Sequence, residues 1–160
     1  MIKLIFIFLT STIIFAQNVH IYTCGASVIG NVVTFDVCMD SDYAVAGMQF
    51  TFDGGSSGLS LTGAGGGLAG DAGFTVSTTG SGTVLGFSFT GAQIPASSGQ
   101  VLTSVTGTFT DGSFTSVGPV MGGSDAFSTP YAQSMNVTTG YSLWNGTNQL
   151  FNSGCTDENA

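Results

Sequence analysis

The groups with which this sequence could do acid–base or metal chemistry are few: one histidine, His20, and nine acids, Asp36, Asp40, Asp42, Asp53, Asp71, Asp111, Asp125, Asp157 and Glu158. Acyl transfer needs a base beside its nucleophile. His20 is the sole imidazole and no Gly-x-Ser-x-Gly elbow accompanies it, so no triad is expected. Glycoside hydrolysis needs two carboxylates about 5 to 10 Å apart. Asp36, Asp40 and Asp42 are near enough in sequence, but Asp40 and Asp42 frame the turn Met39-Asp40-Ser41-Asp42-Tyr43, where Asp side chains satisfy local backbone donors. A structural calcium ion, which takes hard carboxylate and carbonyl oxygens, is the better use of Asp40, Asp42 or Asp71, although no EF-hand spacing is present. No enzyme and no obligatory cofactor are expected.

Cys24, Cys38 and Cys155 lack the short pairwise spacing of a zinc site, and one histidine cannot complete such a site in the usual way. Against the nine acids stands a single basic residue, Lys3, for a formal charge of −8. Nucleic-acid affinity comes from Lys and Arg neutralising phosphates, so nucleic acids and phosphorylated ligands are excluded. Non-catalytic recognition remains. Exposed aromatic rings stack on sugar faces without positive charge, and Tyr43, Tyr131, Tyr141 and Trp144 are the candidates, although each would equally serve to cover an edge of the fold.

These residues must be positioned by strands. Short runs of β-branched and aromatic residues alternate with Gly, Ser, Asn and Asp clusters, which predicts strands over Val19–Cys24, Val32–Met39, Ala46–Phe52, Leu59–Thr62, Phe74–Thr78, Thr83–Thr90, Val101–Thr110, Ser113–Ser116 and Met135–Thr138. No stretch has a helical period, and glycine (25 residues) is too frequent for a helix to start. Val33, Phe35, Val37 and Met39 should face a core, as should Ala46, Met48, Phe50 and Phe52, with Gly47, Gln49 and Thr51 pointing outward. Leu85, Phe87 and Phe89 are expected to meet those residues inside. About nine strands at this spacing predict an all-β fold, a two-sheet jelly-roll sandwich, with a closed barrel as the alternative. The clusters Gly54–Gly58 and Gly63–Gly70 read as reversals between strands, not phosphate loops, since neither a helix nor a Lys follows.

Residues 1–16 read as a signal peptide: Lys3, an apolar run shorter than the ~20 residues that span a bilayer, then the polar Gln17. The chain is expected to be secreted or displayed on the cell surface, where disulfides form. An odd cysteine count then means a free thiol, an intermolecular bond or a missing partner. The Asn-x-Thr sequons at Asn136 and Asn145 read as chance matches.

Three segments carry a more specific resemblance. Tyr43–Gly54 (YAVAGMQFTFDG) and Gly70–Gly99 (GDAGFTVSTTGSGTVLGFSFTGAQIPASSG) resemble cohesin-type modules and their carbohydrate-binding-module relatives in secreted multimodular proteins of marine Bacteroidetes. With Val32–Met39 and Met135–Gly140, the resemblance spans Asn18–Gly140. It implies a cohesin-like sandwich over residues 17–140, whose partner is a polysaccharide or a dockerin-like protein module. In cohesins the dockerin docks on the outer face of the sheet that contains the strand matching Ala46–Phe52, which makes Gln49 and Thr51 contact candidates. The Asn and the acid expected on that strand fall on Gly47 and Gln49. Residues 141–160 read as a linker followed by the opening of a repeat, since Cys155-Thr156-Asp157 resembles the start of a C-T-D-x-x-A-C-N-Y unit. The resemblance implies a chain truncated there, with the partner of Cys155 beyond its end. Cys24 and Cys38 are then left to pair with each other, yet a simple hairpin centred near Ser27–Asn31 would not set them opposite one another. The function expected is non-catalytic carbohydrate or protein attachment, with a ligand-free spacer or adhesin stalk as the alternative.

Overall fold

The computed structural model describes residues 16–54, 58–110, 117–145 and 148–152, with side chains as far as Tyr141. The strands in chain order are β1 (Asn18–Ile29), β2 (Val32–Ser41), β3 (Gly47–Asp53), β4 (Ser60–Gly65), β5 (Thr75–Thr78), β6 (Thr83–Phe87), β7 (Ser97–Thr108), β8 (Gly118–Val120), β9 (Ala126–Ser128), β10 (Asn136–Gly140), β11 (Ser142–Asn145) and β12 (Asn148–Asn152). One five-residue helix, α1 (Gly67–Asp71), interrupts them. Sheet I runs β10-β1-β2-β7-β4, and sheet II runs β5-β6-β3, with β8 and β9 sharing the far edge of β3. The two sheets make the expected sandwich.

The core is built where the alternation is cleanest. Val33, Phe35, Val37 and Met39 of β2 are fully buried, and Met48, Phe50 and Phe52 of β3 face them from the other sheet. Phe35 and Phe52 meet with ring centroids 5.1 Å apart, and Phe50 stacks on Phe127 at 6.3 Å. Burying each such side chain contributes about 1.5 to 3 kcal/mol. β10 closes sheet I by pairing parallel to β1, from Asn18 opposite Asn136 to Tyr22 opposite Gly140.

Four local features depart from the sequence expectation. In β6 it is Val84 and Gly86 that point inward, while Leu85, Phe87 and the following Phe89 are not core residues. The reason is register. Val84 is set opposite Phe50 and Gly86 opposite Met48, whose side chain fills the space that a Cβ on Gly86 would need. A one-residue choice of register assigns every side chain of a strand to one face or the other. Second, the segment Gly63–Gly70 is not a plain reversal: β4 runs through Gly65 and α1 follows. Gly67 sits at φ 60°, and a Cβ there would lie 2.5 Å from the carbonyl oxygen of Val101, so glycine allows the helix to press against β7 and bury Ala69.

Third, β8 and β9, too short to show alternation, were not foreseen, and neither were β11 and β12, an antiparallel pair in the stretch expected to be a linker. The expected strand Ser113–Ser116 lies outside the described residues, as do residues 1–15 of the expected signal peptide and Cys155. Fourth, β1 carries a bulge. The β1–β2 pairing shifts between Thr23 and Gly25, leaving Cys24 as the extra residue between the Thr23–Val37 and Gly25–Asp36 pairs, while Cys38 stands opposite Tyr22. This brings the two cysteines to a Cα separation of 5.7 Å, and they are joined by a disulfide. A regular hairpin would not have done so.

Candidate functional site

The outer face of sheet II is built by the side chains that alternate with the core set. β3 presents Gly47, Gln49 and Thr51; β6 presents Thr83, Leu85 and Phe87 directly opposite them; β5 adds Thr75 and Ser77. Leu85 is 37% exposed, Val120 opposite Thr51 is 38% exposed, and Phe89 is 84% exposed. Phe89 stands edge-on to Phe87 with centroids 4.8 Å apart. Glycine at position 47, between Phe87 and Ser128, leaves the surface low where β3 begins.

The polar half of the face has a fixed geometry. Between β8 and β9 the chain makes a turn closed by the Asp125 amide donating to the Gly122 carbonyl at 2.9 Å. The turn swings the Asp125 carboxylate back over β3. Its Oδ2 accepts from Thr51 Oγ1 at 2.9 Å and from the Gly122 amide at 3.1 Å, and its Oδ1 accepts from Gln49 Nε2 at 3.2 Å. Gln49 Nε2 also donates to Ser124 Oγ at 3.1 Å. A carboxylate bound this way fixes the rotamers of both side chains, leaving a rigid polar row beside an apolar one. Such a face offers a partner apolar area and ordered hydrogen-bonding groups side by side.

Gln49 and Thr51 thus stand together on this face, as the alternation predicted. The other candidates lie elsewhere. Tyr43 and Tyr131 line a cleft at the end of the sandwich, Tyr141 is a half-exposed residue after β10, and the side chain of Trp144 lies outside the described residues. Asp40 Oδ1 accepts from Ser98 Oγ and the Gly99 amide at 2.9 and 2.7 Å, while Asp42 caps the Asn18 amide at 2.9 Å. Asp71 ends α1. Among the described residues no three His, Cys, Asp or Glu side chains gather as metal ligands. His20 Nδ1 lies 2.8 Å from Thr138 Oγ1 and its ring stacks on Tyr22.

Asp125, Leu85, Phe87, Phe89 and Val120 were not foreseen as site residues. Asp125 was counted only among the acids, and nothing local links it to Gln49, 76 positions away. The signal for the others was the run Leu85, Phe87, Phe89 itself, whose facing direction local sequence leaves open.

No known family profile matches the sequence, and no curated protein matches it. Solved structures do. The sixth cohesin of scaffoldin B from Acetivibrio cellulolyticus, crystallised in complex with a Cel5 dockerin, superposes with a TM-score of 0.54 at 16% identity, covering 79% of this chain and 96% of that one. The fold is that of the cohesin modules. A non-cellulosomal cohesin from the archaeon Archaeoglobus fulgidus matches with a TM-score of 0.51 and 15% identity over 76% of this chain and 86% of that one. A type I cohesin from Clostridium thermocellum, solved in a cohesin–dockerin complex, gives 0.53 at 9% identity over 82% and 94%. At these identities the cohesin likeness is one of architecture.

Proposed function

We propose that this chain is a non-catalytic attachment module that holds a protein partner on the outer face of sheet II, and that it works outside the cell as part of a larger multimodular protein. The observation that carries the proposal is the exposed Leu85 and Phe89, with the half-buried Phe87 between them, beside a polar row held by Asp125, and the exposed Val120 on the far side of that row. Apolar area that a fold leaves in one patch, rimmed by ordered polar groups, is the composition of a protein interface core and its rim. Two of the matched cohesins were solved bound to dockerins, so a dockerin-like module is the partner class this reading favours. The acid that the cohesin resemblance led us to expect on β3 is missing there, and Asp125 supplies a carboxylate to the same spot from the β8–β9 turn.

The test is affinity capture from the secretome of the source cells by the wild type and by Leu85→Asp and Phe89→Asp, followed by calorimetry with the protein retained. Binding weakened at least tenfold by either variant supports docking on sheet II. A partner bound equally well by both variants would place docking on another surface, and no partner at all would leave the spacer role.

A further inference from the structure

β2 and β9 end, and β1, β3, β7 and β10 begin, at the same end of the sandwich. Two adjoining clefts open there. One, of about 620 Å³, is walled by Tyr43, Tyr131, Gln93, Pro95 and Asp42. The second, of about 830 Å³, shares Asp42 and Tyr43 and adds Gln17, Gln133 and Asn136. Neither cleft has a lining residue in common with the Leu85–Phe89 surface.

The walls are fixed by backbone bonds. Val45 and Ile94 exchange hydrogen bonds of 2.9 and 2.8 Å, which locks the segments carrying Tyr43 and Gln93 side by side. Thr129, itself buried, accepts on its hydroxyl from the amides of Tyr131 and Gln133 at 3.3 and 3.2 Å and closes the turn between them. Within that turn Ala132 has φ 57°, the one positive φ outside glycine among the described residues. Backbone in that region persists where surrounding bonds over-determine it, and such positions gather at ligand clamps. The outcome is a Tyr131 that is 75% exposed on a turn held by these bonds.

The chemistry of the walls selects the ligand. Lys3 is the only Lys or Arg in the chain, so an anionic ligand would meet no counter-charge. Tyrosine rings offer apolar faces to the C–H face of a sugar, and amides such as Gln93, Gln133 and Asn136 both donate to and accept from vicinal hydroxyls. Asp42 is held by the Asn18 amide at 2.9 Å and keeps acceptor capacity for a hydroxyl. Both volumes fall in the range of small-ligand sites, and their shared wall at Tyr43 suits consecutive rings of one chain. We propose that these clefts bind a neutral polysaccharide, at a site separate from the protein-docking face.

Affinity electrophoresis of the full chain through gels containing xylan, galactomannan, mixed-linkage glucan or laminarin tests this, with polygalacturonate as the anionic control. Retardation is expected with at least one neutral polymer and not with polygalacturonate. Tyr131→Ala, at an exposed position that leaves the fold intact, should weaken that retardation at least tenfold, Tyr131→Phe by less than threefold, and Leu85→Asp not at all. The proposal is overturned by mobility unaffected by every neutral polymer, by retardation that survives Tyr131→Ala, or by retardation lost in Leu85→Asp. Binding of a proline-rich peptide in place of the sugars, lost in Tyr131→Ala, would also overturn it.

Discussion

On the outer face of sheet I, Thr34 meets Thr106 at 3.1 Å and Ser104 donates to Asp36 at 2.6 Å, while the Cys24–Cys38 disulfide lies across the neighbouring strands. On the outer face of sheet II, Leu85 of β6 and Phe89 just after it are exposed, with no strand or helix over them among the described residues, and the polar groups are gathered around one carboxylate. Both sheets contribute an apolar inner face to the core, so the requirement for a core does not explain the contrast. Sheet I bonds these outer side chains to each other, as a solvated face needs, and its exposed apolar pair, Ile29 and Val32, lies at the β1–β2 turn, away from them. Sheet II leaves apolar area exposed and orders the polar groups next to it, a combination that costs solubility and makes sense when a partner covers it.

The comparison can be broken at several points. The largest effect should come from the shared interior: Phe50→Ala costs about 3 to 5 kcal/mol in chemical denaturation, and a cost near zero would mean that the faces of β3 are reversed. Replacing Cys24 and Cys38 together by serine should cost about 3 kcal/mol and make the midpoint insensitive to reductant, because the bond closes a short loop of the unfolded chain on sheet I only. Asp125→Ala should cost about 1 to 2 kcal/mol and also weaken partner binding, since Gln49, Thr51 and the Gly122 amide lose a common acceptor. Phe89→Ser should leave stability within about 0.5 kcal/mol of wild type and still diminish partner capture. If Phe89→Ser instead lowers the melting temperature by many degrees, the ring is structural and the contrast between the faces disappears.

Much of the fold was legible because alternation has one meaning when only one face is apolar. Val33 to Met39 and Met48 to Phe52 are such strands, and they turned out to be the facing halves of the core. β6 was illegible for the opposite reason. Leu85, Phe87 and Phe89 share one face, Val84 and Gly86 the other, and apolar content alone chooses the wrong one; the choice was made by Met48 needing the room above Gly86. A strand that turns its more apolar side to solvent breaks a local rule, and such conflicts concentrate at functional sites. Gln49 and Thr51 were readable as outward residues, whereas Asp125 was not, because its role depends on a turn 74 residues beyond Thr51. The bulge at Cys24 was equally hidden: it concerns one unpaired residue, and sequence spacing counted the cysteines as out of register.

The parallel pairing of β1 with β10 has a mechanical side. The chain enters sheet I at Asn18 and leaves it at Gly140, at opposite ends of two adjacent strands that run the same way. Tension applied between Asn18 and Gly140 therefore slides the strands along each other and loads the hydrogen bonds between them together. An antiparallel arrangement of the same strands would let them peel apart one bond after another. Flanked by β2 on its other side, β1 is also held by hydrogen bonds along both edges, so it cannot leave the sheet without shearing two ladders at once.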